Sequence, residues 1–237
     1  MGLLFSLLSC NDENSFDCFK STGPTVVQHR ITTPFNYIIL EDNIDLYLNN
    51  ETSVGVIVEG GKNLLRKVEI KNSGDSILIS NKNQCNWVRN KKQPIKVTLG
   101  VKQEFLLVLH RGYGKVESVA KLAIPTLFIN SIDAGGNVIL DTKSTDVTVY
   151  SNSAAHIKLS GEADSVNLWL NKAIGRISAE NLQAGTCQIR HSGNNEIRVF
   201  PLNNLEAEIT ESGTVAYYHE PSVITSTIKG RGKLVKR

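Results

Sequence analysis

The sequence predicts an all-β chain: a right-handed, single-stranded parallel β-helix with rungs of about 20 residues, preceded by a β-rich, partly antiparallel N-terminal portion. Three observations predict it. Val, Ile, Leu, Asn, Ser, Thr and Gly dominate, while aromatics are 6% and Met1 is the single methionine, which is a strand-and-turn composition. Apolar and polar residues alternate between Val26 and Leu109. Beyond Gly112, one apolar position recurs seven times at nearly constant spacing.

The recurring position is Val116, Val138, Ile157, Ile177, Ile197, Val215 and Leu234, with intervals of 22, 19, 20, 20, 18 and 19 residues. A second column lies half a period away, at Ile129, Val149, Leu168, Ile189, Ile209 and Ile228. Each rung therefore holds at least two strands. Ser151-Asn152-Ser153, Asn171-Lys172-Ala173, His191-Ser192-Gly193 and Glu211-Ser212-Gly213 fall between strands, where Gly and Asn accept the left-handed backbone of a sharp corner. A single rung cannot bury its apolar face, but stacking rungs about 4.8 Å apart pairs the strands in parallel and lines up like residues. In-pointing neighbours two residues away, Leu140, Leu159, Ala179 and Val199 for one column and Val147, Val166, Cys187, Ala207 and Ser226 for the other, fix the phase. Cys187 is thereby expected to be a buried, inert thiol.

In the N-terminal portion the runs Ile44-Leu46-Leu48, Val54-Val56-Val58, Val68-Ile70, Ile77-Ile79 and Ile95-Val97-Leu99 read as strands with one buried face. Asn49-Asn50-Glu51-Thr52 and Asn72-Ser73-Gly74-Asp75 separate consecutive runs with turn residues, which predicts antiparallel hairpins. Asn63-Leu64-Leu65-Arg66 is the one stretch suited to a helical turn.

The first ten residues differ from the rest. Gly2 to Leu8 is apolar, and Leu7-Leu8-Ser9-Cys10 fits a lipobox, the small-residue site where a lipoprotein precursor is cut before a lipidated cysteine. No Lys or Arg precedes Leu3, so the basic segment of a signal peptide is lacking unless the start lies upstream. The plainer alternative is a hydrophobic N-terminus with a chance cysteine. Asn11-Asp12-Glu13-Asn14 suits a solvated tether. The expected organisation is a lipoprotein signal over 1–9, a tether over 10–24, the β-rich portion over 25–110 and the repeats over 111–237. With Cys10 lipidated in an oxidising compartment, Cys18, Cys85 and Cys187 remain, and Cys18 with Cys85 is the candidate disulfide pair.

Net charge is +3 over 237 residues, too small to imply a nucleic-acid partner. The basic residues form no stripe before Lys229, Arg231, Lys233, Lys236 and Arg237, which are expected to cap and solubilise the last rung. No two Cys or His stand at metal-ligand spacing, and no cofactor motif is present. The five histidines, His29, His110, His156, His191 and His219, fall in different elements, and no Gly-x-Ser-x-Gly elbow exists. Asp141 and Glu180 are expected in one column two rungs apart with Ser160 between them, about 9.6 Å by rung spacing, which is an inverting-type carboxylate separation. Carboxylates on a solvated rung are also common without catalysis. Arg176 and Glu196, in an out-facing column with Asn137 and His156, read as a surface charge pair. The corner residues Asn152, Asn171, Ser192 and Ser212 form a candidate polar ligand face, although corner chemistry alone accounts for them.

These residues resemble the GIN-domain family, adhesin heads of autotransporter type found largely as lipoproteins of Gram-negative bacteria. The resemblance covers most of the mature chain. It is carried by Cys10, by Asp17-Cys18-Phe19-Lys20-Ser21-Thr22-Gly23, by Phe35 with Ile44-Asp45-Leu46-Tyr47-Leu48, by Val56 to Asn63 and by Cys85-Asn86-Trp87-Val88-Arg89. Ser192-Gly193, Ser212-Gly213 and Tyr217 before Pro221 are similar to the family's C-terminal rungs. Arg111-Gly112-Tyr113-Gly114, Ser151-Asn152-Ser153-Ala154 and Asn171-Lys172-Ala173-Ile174 depart from its Ser-Gly-Ser-Gly corners, so the corners need not share one ligand. The resemblance implies a β-helix preceded by a β-rich portion, and an adhesin-like role.

The expected function is a lipid-anchored lipoprotein of the outer membrane or cell surface, with the periplasmic face as the other option. It is expected to serve non-enzymatic adhesion or binding of a glycan or protein ligand. Two alternatives stand beside it: a carbohydrate-active enzyme using Asp141 and Glu180, and a structural module assembling envelope partners through open rung edges.

Overall fold

Alternation of in-pointing Val, Ile and Leu with out-pointing polar residues makes a segment a strand that needs a neighbour on each side. The computed structural model describes residues 21–51, 55–84 and 93–237. In chain order it comprises β1 (Thr25–Ile31), β2 (Tyr37–Asp42), β3 (Ile44–Asn49), β4 (Gly55–Gly61) and the single turn α1 (Lys62–Leu65). There follow β5 (Val68–Ser73), β6 (Ser76–Asn81), β7 (Ile95–Gly100), β8 (Phe105–Gly112), β9 (Val116–Ser118), β10 (Leu122–Ala123) and β11 (Thr126–Ser131). The long strands are β12 (Val138–Ser151), β13 (His156–Asn171), β14 (Arg176–Ser192) and β15 (Glu196–Ile209). The chain closes with β16 (Thr214–Tyr217), β17 (Val223–Ile228) and β18 (Lys233–Lys236). The helical turn lies one residue before the stretch singled out for it in the sequence.

The fold is a parallel β-solenoid with a mixed, partly antiparallel end. Each long strand bends, so that its first residues lie in one face and its last residues in another. On the first face Val116, Val138, Ile157, Ile177, Ile197, Val215 and Leu234 pair in succession, as their spacing predicts. The column also runs backwards through Leu46 to Val97. On the second face Ile129, Val149, Leu168 and Ile189 pair in the expected order, preceded by Val108, Ile38 and Ile77. All but Leu234, which packs half-buried against it, are buried in one continuous core, each contributing about 1.5–3 kcal/mol relative to exposure.

Past Ile189 the second column departs from expectation. Ile189 faces Ala207, Ile209 faces His191, and Cys187 faces Leu205. The chain takes two residues fewer from Val199 to Leu205 than from Ala179 to Cys187, and a slip of two keeps every side chain on its own face. Cys187 is nevertheless interior, and burial pushes its thiol up to about 12.

The N-terminal portion also differs in part. Ser73 and Ser76 close a β5–β6 hairpin, with Gly74 at φ 54°, as the turn residues predict. β3 and β4 do not form the hairpin expected between them, because β3 pairs in parallel with β7 and β9, while β4 pairs antiparallel with β1 and β7. The unit β2–β3 is itself a rung, inserted between β6–β7 and β8–β9. Pairing of β2 with β8 continues the stack through to the repeats.

The basic tail is likewise a rung and not a cap. Lys233 to Lys236 pair with Thr214 to Tyr217 as β18. Lys229 bonds Glu208 at 2.7 Å, and Lys236 bonds Glu220 at 2.6 Å. All six residues of β17 are exposed, with Val223, Ile224 and Ile228 among them.

At the corner leading from the second face to the first, Asp133 and Lys172 adopt left-handed backbone at φ 51° and 48°. Gly175 passes so close to the carbonyl of Ala155 that a Cβ would collide with it. Inside this corner His110 and His191 stand in one interior column with Ser131, Ser151 and Leu170 between them. Each histidine donates from Nε2 to a carbonyl four residues on, Gly114 at 3.0 Å and Asn195 at 2.7 Å.

Candidate functional site

Two places on the solenoid gather polar side chains: the corner column and a groove on the first face. At the corner, Leu170 pairs with Ser151 and Asn171 pairs with Ser192, so Asn152, Asn171 and Ser192 follow one another along the stack. Ser212 leaves this column, because the slip of two places it opposite Asn194, to which its Oγ donates at 2.7 Å. The remaining members spend their hydrogen bonds on the corner itself. Ser192 Oγ donates to Asn171 Oδ1 at 3.0 Å, Asn171 Nδ2 donates to Tyr150 Oη at 3.2 Å, and Asn152 Oδ1 accepts from the Asp133 amide at 3.2 Å. Asn195 Nδ2 donates to the carbonyls of Ala173, Ile174 and Gly175 at 2.5 to 3.1 Å, closing the floor of a pocket of about 470 Å³. The corner binds itself.

The groove lies on the first face across β12 to β15. Ile139, Lys158, Ser178 and Arg198 face each other on successive rungs, with His156 and Arg176 in the next outward column. Ser178 is small and buried between longer neighbours, which makes the depression. Its Oγ is 2.9 Å from His156 Nε2. A bulge shapes the far wall: Lys158 faces Ser178 but Ser160 faces Asn181, so Ala179 and Glu180 together oppose one residue of β13. The extra residue turns Glu180 toward Arg198, and Oε1 accepts from Nη1 at 3.4 Å. Glu180 Oε2 is enclosed without a hydrogen-bond partner. The groove encloses about 410 Å³. Burial, followed by the positive charges of Arg176 and Lys158, pushes His156 below the usual imidazole range.

The bulge also separates the two carboxylates that spacing had aligned. Asp141 faces Ser160, Ser160 faces Asn181, and Glu180 is out of that column. Asp141 lies 4.0 Å from Lys121. Glu196 pairs with Arg198 at 2.6 Å and lies 3.8 Å from Arg237, in place of the expected Arg176. Cys10, the expected lipidation site, and Cys18 and Cys85, the candidate disulfide pair, lie outside the described residues. The groove itself was missed in the sequence. Its signal was the succession of Lys158, Arg176 and Arg198 at out-facing positions of three consecutive rungs, readable only once the register of Lys158 against Ser178 is known.

Comparison with known proteins bears on the whole chain. A family model described as "Putative auto-transporter adhesin, head GIN domain" matches residues 34–221. A solved structure described as a "putative adhesin" from Bacteroides fragilis superposes with TM-score 0.80 at 19% identity, covering 90% of this chain and 97% of that one. Another "putative adhesin", from Parabacteroides merdae, gives 0.68 at 17% identity over 92% and 98% of the two chains. A "putative lipid binding protein" from Parabacteroides distasonis gives 0.67 at 20% identity, again over 92% and 98%. At these identities the solved structures establish a shared fold. No curated protein matches the chain.

Proposed function

We propose, from the premise that this chain belongs to the GIN-domain family of adhesin heads, that it is a lipid-anchored envelope or cell-surface protein that binds a ligand without turning it over. One observation carries the reading. The register shift at Lys158 and Ser160 takes Glu180 out of the Asp141 column, so the carboxylate arrangement that motivated a glycan-cleaving alternative does not form. What the chain offers instead is a rigid outward face, held by continuous backbone pairing from β7 to β18 and carrying charged and polar side chains above a buried core. Rigid presentation limits the ordering cost of binding. Cys10, beside the apolar run Gly2 to Leu8, supplies the anchor, and Asn11 to Asn14 the solvated tether.

The test uses the full chain with Cys10→Ser on an array of glycans and matrix proteins. Reproducible binding to one ligand class is expected, and a blank array would contradict the reading. In cells, the wild-type chain is expected to incorporate labelled palmitate and the Cys10→Ser variant is not; equal labelling of the two would remove the anchor.

A further inference from the structure

The groove on the first face carries a cation on each of three consecutive rungs: Lys158 on β13, Arg176 on β14 and Arg198 on β15. Lys158 and Arg198 both face Ser178, while Arg176 faces His156 two residues away along the strand, so the three charges form a staggered group across rungs about 4.8 Å apart. Arg198 is already engaged by Glu196 and Glu180. Among the described residues, Lys158 and Arg176 have no carboxylate within ion-pair distance. Their charge is left to act on whatever enters the groove, and after burial it is the next contribution that lowers the His156 imidazole.

The remaining lining adds hydrogen-bonding groups and one carboxylate, Glu180, which is already paired with Arg198. Ser160 and Asn181 stand side by side across the bulge, Ser178 and His156 form the floor, and Ile139 contributes an exposed apolar edge. Glu180 keeps an enclosed acceptor, Oε2, with no partner at this bulge. No Phe, Tyr or Trp lines the groove and His156 is the one ring a base could stack on, which argues against an extended run of single-stranded nucleic acid. A linear ligand with repeating anionic groups and many hydroxyls matches both halves of the lining.

We propose that this groove is a binding subsite for an acidic saccharide, a sugar chain bearing carboxylate or sulfate groups, whose anionic groups lie on Arg176 and Lys158 and whose hydroxyls meet Asn181, Ser160 and Glu180. The assignment rests on the ligand-binding reading above and names the chemistry of its ligand. Arg176 provides a planar fork for a carboxylate or sulfate, and Lys158 a point charge one rung away.

The experiment titrates the full chain carrying Cys10→Ser with four probes of matched length: oligogalacturonate, sulfated dextran oligosaccharide, neutral dextran oligosaccharide and oligoglutamate. At least one acidic saccharide is expected to bind roughly tenfold or more tightly than the neutral sugar and than oligoglutamate, and to weaken as salt is raised. The carboxylated and sulfated arms identify which anion is preferred. Arg176→Ala and Lys158→Ala are each expected to lose roughly tenfold, the size of a lost charge-assisted hydrogen bond, while Lys143→Ala outside the groove leaves affinity unchanged. Thermal melts check that the variants, whose altered side chains are exposed, remain folded. Equal binding of neutral and acidic sugars, tighter binding of oligoglutamate, or groove variants that bind as wild type would overturn the assignment. If the array finds a ligand whose binding ignores both groove variants, the adhesin reading stands and the groove assignment falls. If neither the array nor the saccharides bind, both fall.

Discussion

His110 and His191 occupy equivalent places in the stack, each opening a His-x-Gly corner, His110-Arg111-Gly112 and His191-Ser192-Gly193. Burial holds both below the usual imidazole range, with the bonds to Gly114 and Asn195 working against that shift, and His156 is held down in the same direction. A lowered native value means that, below about pH 6.5, the unfolded chain binds more protons than the folded one, so stability falls as the solution is acidified through that value. The urea midpoint is therefore expected to decrease between about pH 7.5 and pH 5, before most carboxylates titrate. A midpoint that is flat or rises over that interval would show that these rings are not held neutral. At this scale the sequence is legible wherever apolar character alone decides the outcome. Val138, Ile157, Ile177 and Cys187 are buried as their phase requires. It is opaque for polar residues, because a histidine inside a corner and a histidine on a surface differ only in their backbone partners. Ser212 shows the same limit, since its pairing with Asn194 depends on a loop length two elements away.

Among the elements, β14 carries the most information per residue. Its bulge at Ala179–Glu180 shapes the groove, draws Glu180 toward Arg198 and breaks the Asp141 column. One inserted residue leaves the average period near 20 untouched, which is why spacing alone aligned Asp141 with Glu180. The two-residue slip between β14 and β15 escapes for a different reason, since a strand with both in-pointing neighbours apolar looks the same after a shift of two. At the other extreme, β17 is exposed along its whole length and, among the described residues, pairs only with β15, as β18 does with β16. Hydrogen exchange is expected to find the amides of β17 and β18 opening locally and exchanging at least about a hundredfold faster than those of β13 and β14, which are paired on both sides. Equal protection along the stack would mean that the last rung is covered by something other than the described residues.

For the molecule as a whole, the repeat made the solenoid readable from Val116 onward, because each rung must match its neighbour in length and phase. The order of the first rungs was not readable. The chain lays down β2–β3, leaves through β4 and α1, builds β6–β7 on one side of that rung and returns to place β8–β9 on the other. Alternation marks each of these strands and says nothing about which neighbour it chooses. The result is a continuous stack whose first face exposes cations on successive rungs over an apolar core, with Glu180 out of the Asp141 column, and on that arrangement rests the proposal that the chain holds a ligand without cleaving it. The direct test of that claim is to saturate the full chain, carrying Cys10→Ser, with the ligand that the array selects, and to recover the ligand after prolonged incubation for mass analysis. Quantitative recovery of unaltered ligand at a fixed stoichiometry is the expected result; shortened chains or new reducing ends, lost on Asp141→Asn, would contradict it and return the protein to the glycan-cleaving enzymes.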